Sequence, residues 1–427
     1  MPEPPSPSLA EATRVFARIG LLSFGGPAGQ MALMHRELVE TRGWLAEERY
    51  LHALNFCMLL PGPEAMQLAT YTGWLLHGVR GGVIAGLLFV APGAFVVLAL
   101  SLLYAFVGDV SAVEAAFLGI KAAVLAIVAE ALVRIGRRAL RDRASVALAL
   151  AAFLAITAFA VPFPVIVLAA LIVGALRDRD VSKPADTSDA VPAVARTAAT
   201  VAVWLAVWLL PLLAMVLLVG FDHVLARVAL VFSVLAVVSF GGAYAALAWL
   251  AQAAVEREGW LSAGEMLDGL GLAETTPGPL VLVMEFVGFL AGFGAGGAVM
   301  GVAAALVALW ATFAPCFLWV FAGAPYVERL RHAPRFAGAI RAVTAAVVGV
   351  IGYLALWFGL RVLFRALEPW RLGPVRLDAP VWHTLDAGAA LIAVLAAALL
   401  LRWHVGVAKV LLVSAVLGLV LASLGLS

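Results

Sequence analysis

Only two cysteines occur in the chain, Cys57 and Cys316, far apart and in apolar surroundings. They offer neither a disulfide framework nor a CxxC metal signature, and both read as small core residues. Charge is equally scarce, at 13% of residues, where a soluble domain carries about 25%. The net charge of +2, with basic residues confined to short loops, leaves no long basic face for nucleic acid. A Walker A loop needs Gly-Lys-Ser/Thr, but Lys121, Lys183 and Lys409 follow Ile, Ser and Ala. HExxH and GxSxG are missing too, so no ATP-driven pump, metal site, cofactor or enzyme is expected. The opening "MPEPPSPSLAEATRVF" has no basic stretch followed by an apolar one, so insertion is expected from the first membrane helices rather than a cleaved signal. Ser8 with Glu11 reads as a capping box that opens the first helix.

What is abundant is apolar: 64% of residues are hydrophobic and the mean hydropathy is +1.06. Uninterrupted runs lie at Gly82–Val107, Val113–Val133, Thr197–Gly220, Val299–Phe321, Ala337–Phe358 and Val410–Leu426. Each is near the ~20 residues that a ~30 Å hydrocarbon core requires of a helix. The fold class is therefore an all-α polytopic membrane protein with the lipid bilayer as its surroundings.

Two glycine and proline knots interrupt the first part of the chain, Gly25-Gly26-Pro27 and Pro61-Gly62-Pro63. Both recur. Phe240-Gly241-Gly242 stands 216 positions after Phe24-Gly25-Gly26, as Gly259-Trp260 does after Gly43-Trp44 and Pro277-Gly278-Pro279 after Pro61-Gly62-Pro63. Ala91-Pro92 matches Ala314-Pro315, and "GIKAAV" around Lys121 matches "AIRAVT" around Arg341. Each half ends in a helical pair, Ser145–Leu176 in the first and Leu385–Leu401 with Val407–Leu426 in the second.

The division expected is an N-terminal repeat over 1–176, a polar linker over 177–196, a connecting helix over 197–220 and a C-terminal repeat over 221–427. If each half crosses the membrane an even number of times, the single connecting helix starts the second half on the opposite side, which makes the repeats inverted. Loop charge supports a cytoplasmic N-terminus, because Arg and Lys concentrate inside. Arg134–Arg143 carries five Arg and Glu328–Arg335 three, whereas Gly108–Ser111 and Glu256–Glu258 are sparse or acidic. Arg361–Asp386, with several Arg, fits less well.

Unpaired backbone in hydrocarbon costs several kcal/mol per group, so breaks at membrane depth belong where protein or a water-filled cavity surrounds them. The spans Leu9–Val39 and Glu47–His77 read as half-helices hinged at a knot, and whether they cross or re-enter stays open. Pro27 and Pro63 suit the first turn of a second half-helix. Gly25, Gly26 and Gly62 let the backbone turn tightly and expose amides. Thr275 or Thr276 is expected to cap a helix starting near Pro277 or Pro279. Half-helix N-termini meeting near the midplane would hold a small oxyanion. The bland alternative is that Gly and Pro are common in membrane helices and allow close packing.

Lys121 sits mid-segment in an apolar run, and its repeat mate Arg341 keeps the charge. Both are expected to face the site, unless Lys121 pairs with Glu114 or Glu130 and Arg341 reaches a loop. Glu64 and Gln67 follow the first PGP, Glu274 precedes the second, and Glu285 lies deeper. Glu64, Glu274 and Glu285 are the candidate proton-coupling carboxylates; for Glu64, plain helix N-terminal stabilisation is the rival. Asn55, Gln30 and Tyr71 are further hydrogen-bonding groups. His35, His52 and the charged cluster Arg36–Arg49 read as a solvated face, and Trp44 and Trp260 as interface anchors.

The segments "SFGGPAGQMALMHRELVETRGWL" and "LNFCMLLPGPEAMQLATYTGWLLHG" resemble the signature segments of the chromate ion transporter family, in its long, two-domain form. "SFGGAYAAL" is similar to that family's degenerate second domain, with Ala243 where Pro27 stands in the first half. The resemblance implies gradient-driven export of chromate across a bacterial-type inner membrane, giving chromate resistance, with sulfate as the related anion. The substrate site expected from the knots and the intramembrane charges comprises Gly25, Gly26, Pro27, Pro61, Gly62, Pro63, Glu64, Gln67, Gly241, Gly242, Thr276, Pro277, Gly278 and Pro279, with Lys121 and Arg341. Chromate and sulfate are both tetrahedral dianions, and the residues do not choose between them. An uncoupled anion channel or a sulfate transporter of the same fold is the alternative, and a membrane scaffold or enzyme subunit a third reading. A homodimer is left open.

Overall fold

Ser8 begins the fold: its Oγ accepts the Glu11 N–H at 3.2 Å and caps α1 (Leu9–Leu22), as the capping box predicts. In this computed structural model the described residues are 7–24, 26–108, 110–177, 194–240, 243–326, 334–373 and 375–425. Gly25, Gly241, Gly242, most of the linker and most of the Glu328–Arg335 loop lie outside them. After the first knot come α2 (Gly26–His35), which runs on as a π-helix over Arg36–Thr41, α3 (Glu47–Cys57), and the long α4 (Glu64–Val107). Then follow α5 (Ser111–Ala139), α6 (Arg143–Phe159), α7 (Phe163–Arg177) and the connecting α8 (Val194–Val219).

The second half repeats the order. It runs α9 (Val224–Val238), α10 (Ala243–Leu250) with a π-helical tail over Ala251–Arg257, α11 (Ala263–Thr275), and α12 (Val283–Gly323) behind a 3-10 turn at Leu280–Leu282. α13 (Pro334–Leu363), α14 (Ala387–Leu401) and α15 (Val407–Ser423) complete it. The backbone repeats down to single residues. Ser23 ends α1 at φ −77°, ψ 67° and Ser239 ends α9 at φ −78°, ψ 68°. Gly43 and Gly259, both at φ +61°, close the π-helical tails.

A straight helix of the 44 residues in α4 would be roughly 66 Å long, about twice the ~30 Å hydrocarbon core. The chain instead reverses at His77-Gly78, where Gly78 takes φ +62° and ψ −154°, a conformation reserved for glycine. Contacts run antiparallel across this break. A Cβ on Gly73 would lie 2.5 Å from the Gly81 carbonyl oxygen, one on Gly82 would lie 2.9 Å from that of Thr70, and one on Gly86 would lie 3.0 Å from Met66 Cε. α12 folds likewise at Gly296-Gly297, Gly297 having φ +71° and ψ −163°. There a Cβ on Gly292 would meet Ala304 Cβ at 2.7 Å and one on Gly288 would meet Ala308 Cβ at 2.7 Å. Each long element is thus a helical hairpin sealed by small residues, which let the backbones approach.

The chain divides into two compact units that cut across the sequence halves. The first comprises Met1–Ser101, Asp180–Ala243 and Thr276–Ala337, the second Leu102–Arg179, Tyr244–Thr275 and Gly338–Ser427. In the first, α8 locks onto α12 through two indoles: Trp208 Nε1 donates to Ala311 O at 3.1 Å and Trp310 Nε1 to Trp208 O at 3.2 Å. In the second, α5 is the hub. A Cβ on Gly418 of α15 would lie 2.9 Å from Gly119 N of α5, and one on Gly174 of α7 would meet Ala342 Cβ of α13 at 2.6 Å.

One element departs from the all-α expectation. Strands β1 (Leu367–Leu372) and β2 (Val375–Pro380) form an antiparallel hairpin turning at Gly373, φ +60°. It lies in the arginine-bearing segment that fitted the loop-charge pattern poorly. Arg361 there donates to Asp378 Oδ2 at 2.8 Å and Arg365 to Asp386 Oδ2 at 3.3 Å, so these two cations hold the segment to itself. The charged cluster after α2 is likewise not wholly solvated: Glu37 is buried and ion-paired with Arg42, and His35 lies 2.7 Å from Glu47. Trp44, expected at an interface, is buried beneath the Arg42 guanidinium.

Candidate functional site

In a Pro-Gly-Pro tripeptide the glycine carries the sole N–H, because proline has none. Both such donors are spent in the same way. Gly62 N donates to Ser239 O and Gly278 N to Ser23 O, each at 2.9 Å. The PGP of each half therefore binds the serine that ends the first helix of the other half, a carbonyl that the interrupted helix leaves without a turn to bond. All four interruptions meet within the first unit.

Packing repeats the exchange. A Cβ on Gly62 would lie 3.2 Å from Sγ of Cys316, and one on Gly278 would lie 3.4 Å from Cα of Gly93. Cys316 follows Pro315 and Gly93 follows Pro92, so each PGP rests on the residue after the helix proline of the other half. The positive φ of Gly62, +112°, and Gly278, +92°, lets both backbones turn here. Their amides are not exposed, contrary to expectation, since both are committed to the serines. Backbone donors remain at the first turns of α2 and α4, which lack intrahelical carbonyls to bond.

Two buried amides finish the arrangement. Gln30 Nε2 donates to Gly278 O at 2.6 Å and to Ser23 O at 3.3 Å, and Gln67 Nε2 donates to Pro61 O at 2.6 Å. Each leaves its Oε1 buried without a partner. Gly26, φ +71°, opens α2 with Pro27 second, both half-buried. Pro61, Pro63, Thr276, Pro277 and Pro279 are buried, and Glu64 is half-buried as the first residue of α4. Neither threonine opens a helix at the second PGP. Thr275 Oγ1 turns back to Leu272 O at 2.8 Å, and helix resumes only at Leu280. Glu285 of α12 is also in this unit, 1% exposed, with neither carboxylate oxygen hydrogen-bonded.

The other predicted charges belong to the second unit. Lys121 Nζ lies 3.2 Å from Asp268 Oδ2, not against Glu114 or Glu130, and Tyr104 OH donates to the same oxygen at 2.8 Å. Gly264, Asp268 and Gly271 share one face of α11 by their spacing. A Cβ on Gly264 would come within 3.4 Å of Lys121 Nζ, so the small residues admit α5 and its lysine. Glu274, buried, accepts from Tyr244 OH at 2.9 Å. Arg341 is exposed on α13. Asn55 is exposed, and Tyr71 stacks on Trp74 at 5.6 Å. Among the described residues no three His, Cys, Asp or Glu side chains gather as a metal site.

The reading from sequence missed Ser23, Ser239 and Asp268. An aspartate within the glycine-rich "MLDGLGLAETTPGP" carries the same signal as Lys121, a charge among apolar residues. The serines stand two residues before the glycine pairs, but only the long-range bond gives their carbonyls a role.

The family described as Chromate transporter matches this chain twice, over residues 10–175 and 226–419. A chromate transport protein of Pseudomonas aeruginosa is 35% identical over 355 residues, 82% of this chain and 80% of the relative. A probable chromate transport protein of Synechococcus elongatus is 30% identical over 417 residues, 91% of this chain and 96% of the relative. A chromate transport protein of Cupriavidus metallidurans is 30% identical over 355 residues, covering 81% and 82%. No solved structure matches the chain. With its two matched regions spanning most of its length, this multi-pass membrane protein belongs to the chromate transporter family.

Proposed function

We propose that this chain is a secondary transporter that exports chromate from the cytoplasm across the inner membrane, coupled to protons or to sulfate. The observation that supports it best is the reciprocal bond pair, Gly62 N to Ser239 O and Gly278 N to Ser23 O, which ties four helix interruptions into one place. Breaks of this kind belong at a substrate site between repeats, with half-helix N-termini turned toward the anion. On this reading the repeats are inverted, the N-terminus is cytoplasmic and the knots lie near the midplane. The first-turn amides of α2 and α4 then supply the oxyanion's donors, and Glu64 and Glu285 are the carboxylates of the same unit able to carry a coupled proton. Glu274 is a further candidate for the coupled proton, and Lys121 and Arg341 are the cations that attract the anion, all three belonging to the second unit. The relatives named as chromate transport proteins favour chromate over sulfate as cargo.

Chromate uptake into inverted membrane vesicles tests this reading, measured with and without a proton gradient and with sulfate as competitor. Gradient-dependent accumulation above the equilibrium level is expected. Flux that only dissipates a chromate gradient would make the protein an anion channel, and sulfate uptake without chromate uptake would change the cargo.

A further inference from the structure

Three helical elements of the first unit, α4, α8 and α12, enclose a cavity of about 660 Å³ that none of the knot residues lines. Its walls are apolar and rich in rings: Phe95 from α4, Trp204 from α8, Trp310 and Phe317 from α12. Trp204 stacks on Phe317 with ring centroids 5.3 Å apart, which fixes that wall. At the rim Phe95 is 80% exposed and Leu306 56%, so the cavity is open along an apolar face. Its volume is that of a site for a small organic ligand, roughly 300–1,000 Å³.

Glu285 is the one ionisable residue in that lining. Both its oxygens are buried and without hydrogen-bond partners, so nothing in the described structure compensates the carboxyl. A buried polar group left unpaired is costly and calls for an occupant that pairs with it. An anion is the wrong occupant, because it would meet the Glu285 carboxylate among otherwise apolar walls and no cationic side chain. A cation with apolar substituents fits every wall, since its charge would lie against the carboxylate in a low-dielectric setting and its surface against aromatic faces that attract cations.

We propose that this cavity binds a lipophilic organic cation, of the quaternary phosphonium or alkylammonium class, with its charge held at Glu285 and its apolar groups between Phe95, Trp204 and Trp310. The site is separate from the crossed knots, and its occupancy does not depend on which anion the protein carries.

Equilibrium binding of radiolabelled tetraphenylphosphonium to the full chain in lipid nanodiscs, corrected by empty nanodiscs, tests the assignment. Saturable binding is expected, at least tenfold weaker in Glu285→Gln and also weakened in Leu309→Trp, which narrows the cavity. Triphenylphosphine oxide, of similar bulk but neutral, should fail to displace the label. Equal binding by Glu285→Gln, or displacement by the neutral compound at equal concentration, would overturn the proposal and leave a cleft for any acyl chain. Should Glu285→Gln fail to fold, the competition on the wild type decides alone, and absence of saturable binding there refutes the site outright.

Discussion

Replacing Lys121 by Met removes one end of a charge pair whose other end cannot leave. Asp268 has a side chain 5% exposed, whereas that of Lys121 is 26% exposed. At an effective dielectric of about 20, unit charges at their separation attract by about 5 kcal/mol, and the cost of taking Asp268 out of water offsets much of it. The intact pair thus contributes little net stability. Its disruption leaves the carboxylate with Tyr104 alone, at a cost of roughly 3 kcal/mol, the low end for a broken buried pair because the lysine is partly exposed. Asp268→Asn alone should cost less, about 1 kcal/mol, because the freed lysine can reach solvent. The double variant should then cost only about 1 kcal/mol, recovering most of the loss of Lys121→Met, a coupling of about 3 kcal/mol in a mutant cycle. Denaturant unfolding in nanodiscs measures the four stabilities, and vesicle uptake measures transport alongside. Additive losses, or a Lys121→Met protein as stable as wild type, would refute the pairing. A double variant that is stable yet fails to accumulate chromate would assign Lys121 a part in the transport cycle beyond holding α11.

Gly62→Ala should lose both stability and transport. The left-handed backbone costs about 1–3 kcal/mol, and the new Cβ meets Gln67 Nε2 at 3.0 Å and Cys316 Sγ at 3.2 Å. Gly43→Ala, at φ +61° with nothing within 4 Å, should cost only about 1–2 kcal/mol and leave uptake intact, so equal loss of uptake in both would deny the knot its special place. Asp142 caps α6 by accepting the Ser145 N–H at 2.6 Å, and that bond, with Arg177 adding a smaller pull, holds its carboxyl below the ordinary 3.8. Its contribution is complete above that ordinary value and is lost as pH falls through the lower folded value. Asp142→Asn should therefore melt earlier than wild type at pH 7, with the gap closing in acid; a gap that widens would reverse the sign.

The helices were legible because hydrocarbon thickness fixes their length, and the repeat because glycine and proline keep their positions while apolar residues interchange. Reversal within α4 and α12 was not. A glycine in a membrane helix reads alike whether the chain bends slightly or turns back, and the deciding feature is mutual, with Gly73 facing Gly81 and Gly292 facing Ala304. The site failed to show for the same reason. PGP announces a break, but which carbonyl takes its single donor depends on Ser239 for Gly62 and on Ser23 for Gly278, far along the chain. Lys121 was visible as an anomaly, and its partner Asp268 required knowing that α11 lies on α5.

Backbone and side chains have diverged differently between the halves. The backbone of the knots is kept in both, from the serine dihedrals to the crossed bonds. The polar side chains around them are not. At the repeat spacing of 216 residues Gln30 is answered by Ala246, Glu64 by Leu280 and Gln67 by Val283. The three-residue turn at Leu280–Leu282 moves the register from there on, and then Val283 answers Glu64 and Phe286 answers Gln67, so either spacing gives an apolar mate. An exchange of one backbone bond needs two equivalent frames, because each half satisfies the serine of the other. Recognition of a ligand needs only one set of polar groups, and a second set in the same dry site would leave more amide and carboxyl atoms unpaired. Gln30 and Gln67 already leave one each. On the function proposed above, the second half is the frame that holds the knots, and the polar side chains offered to the anion are those on α2 and α4 of the first.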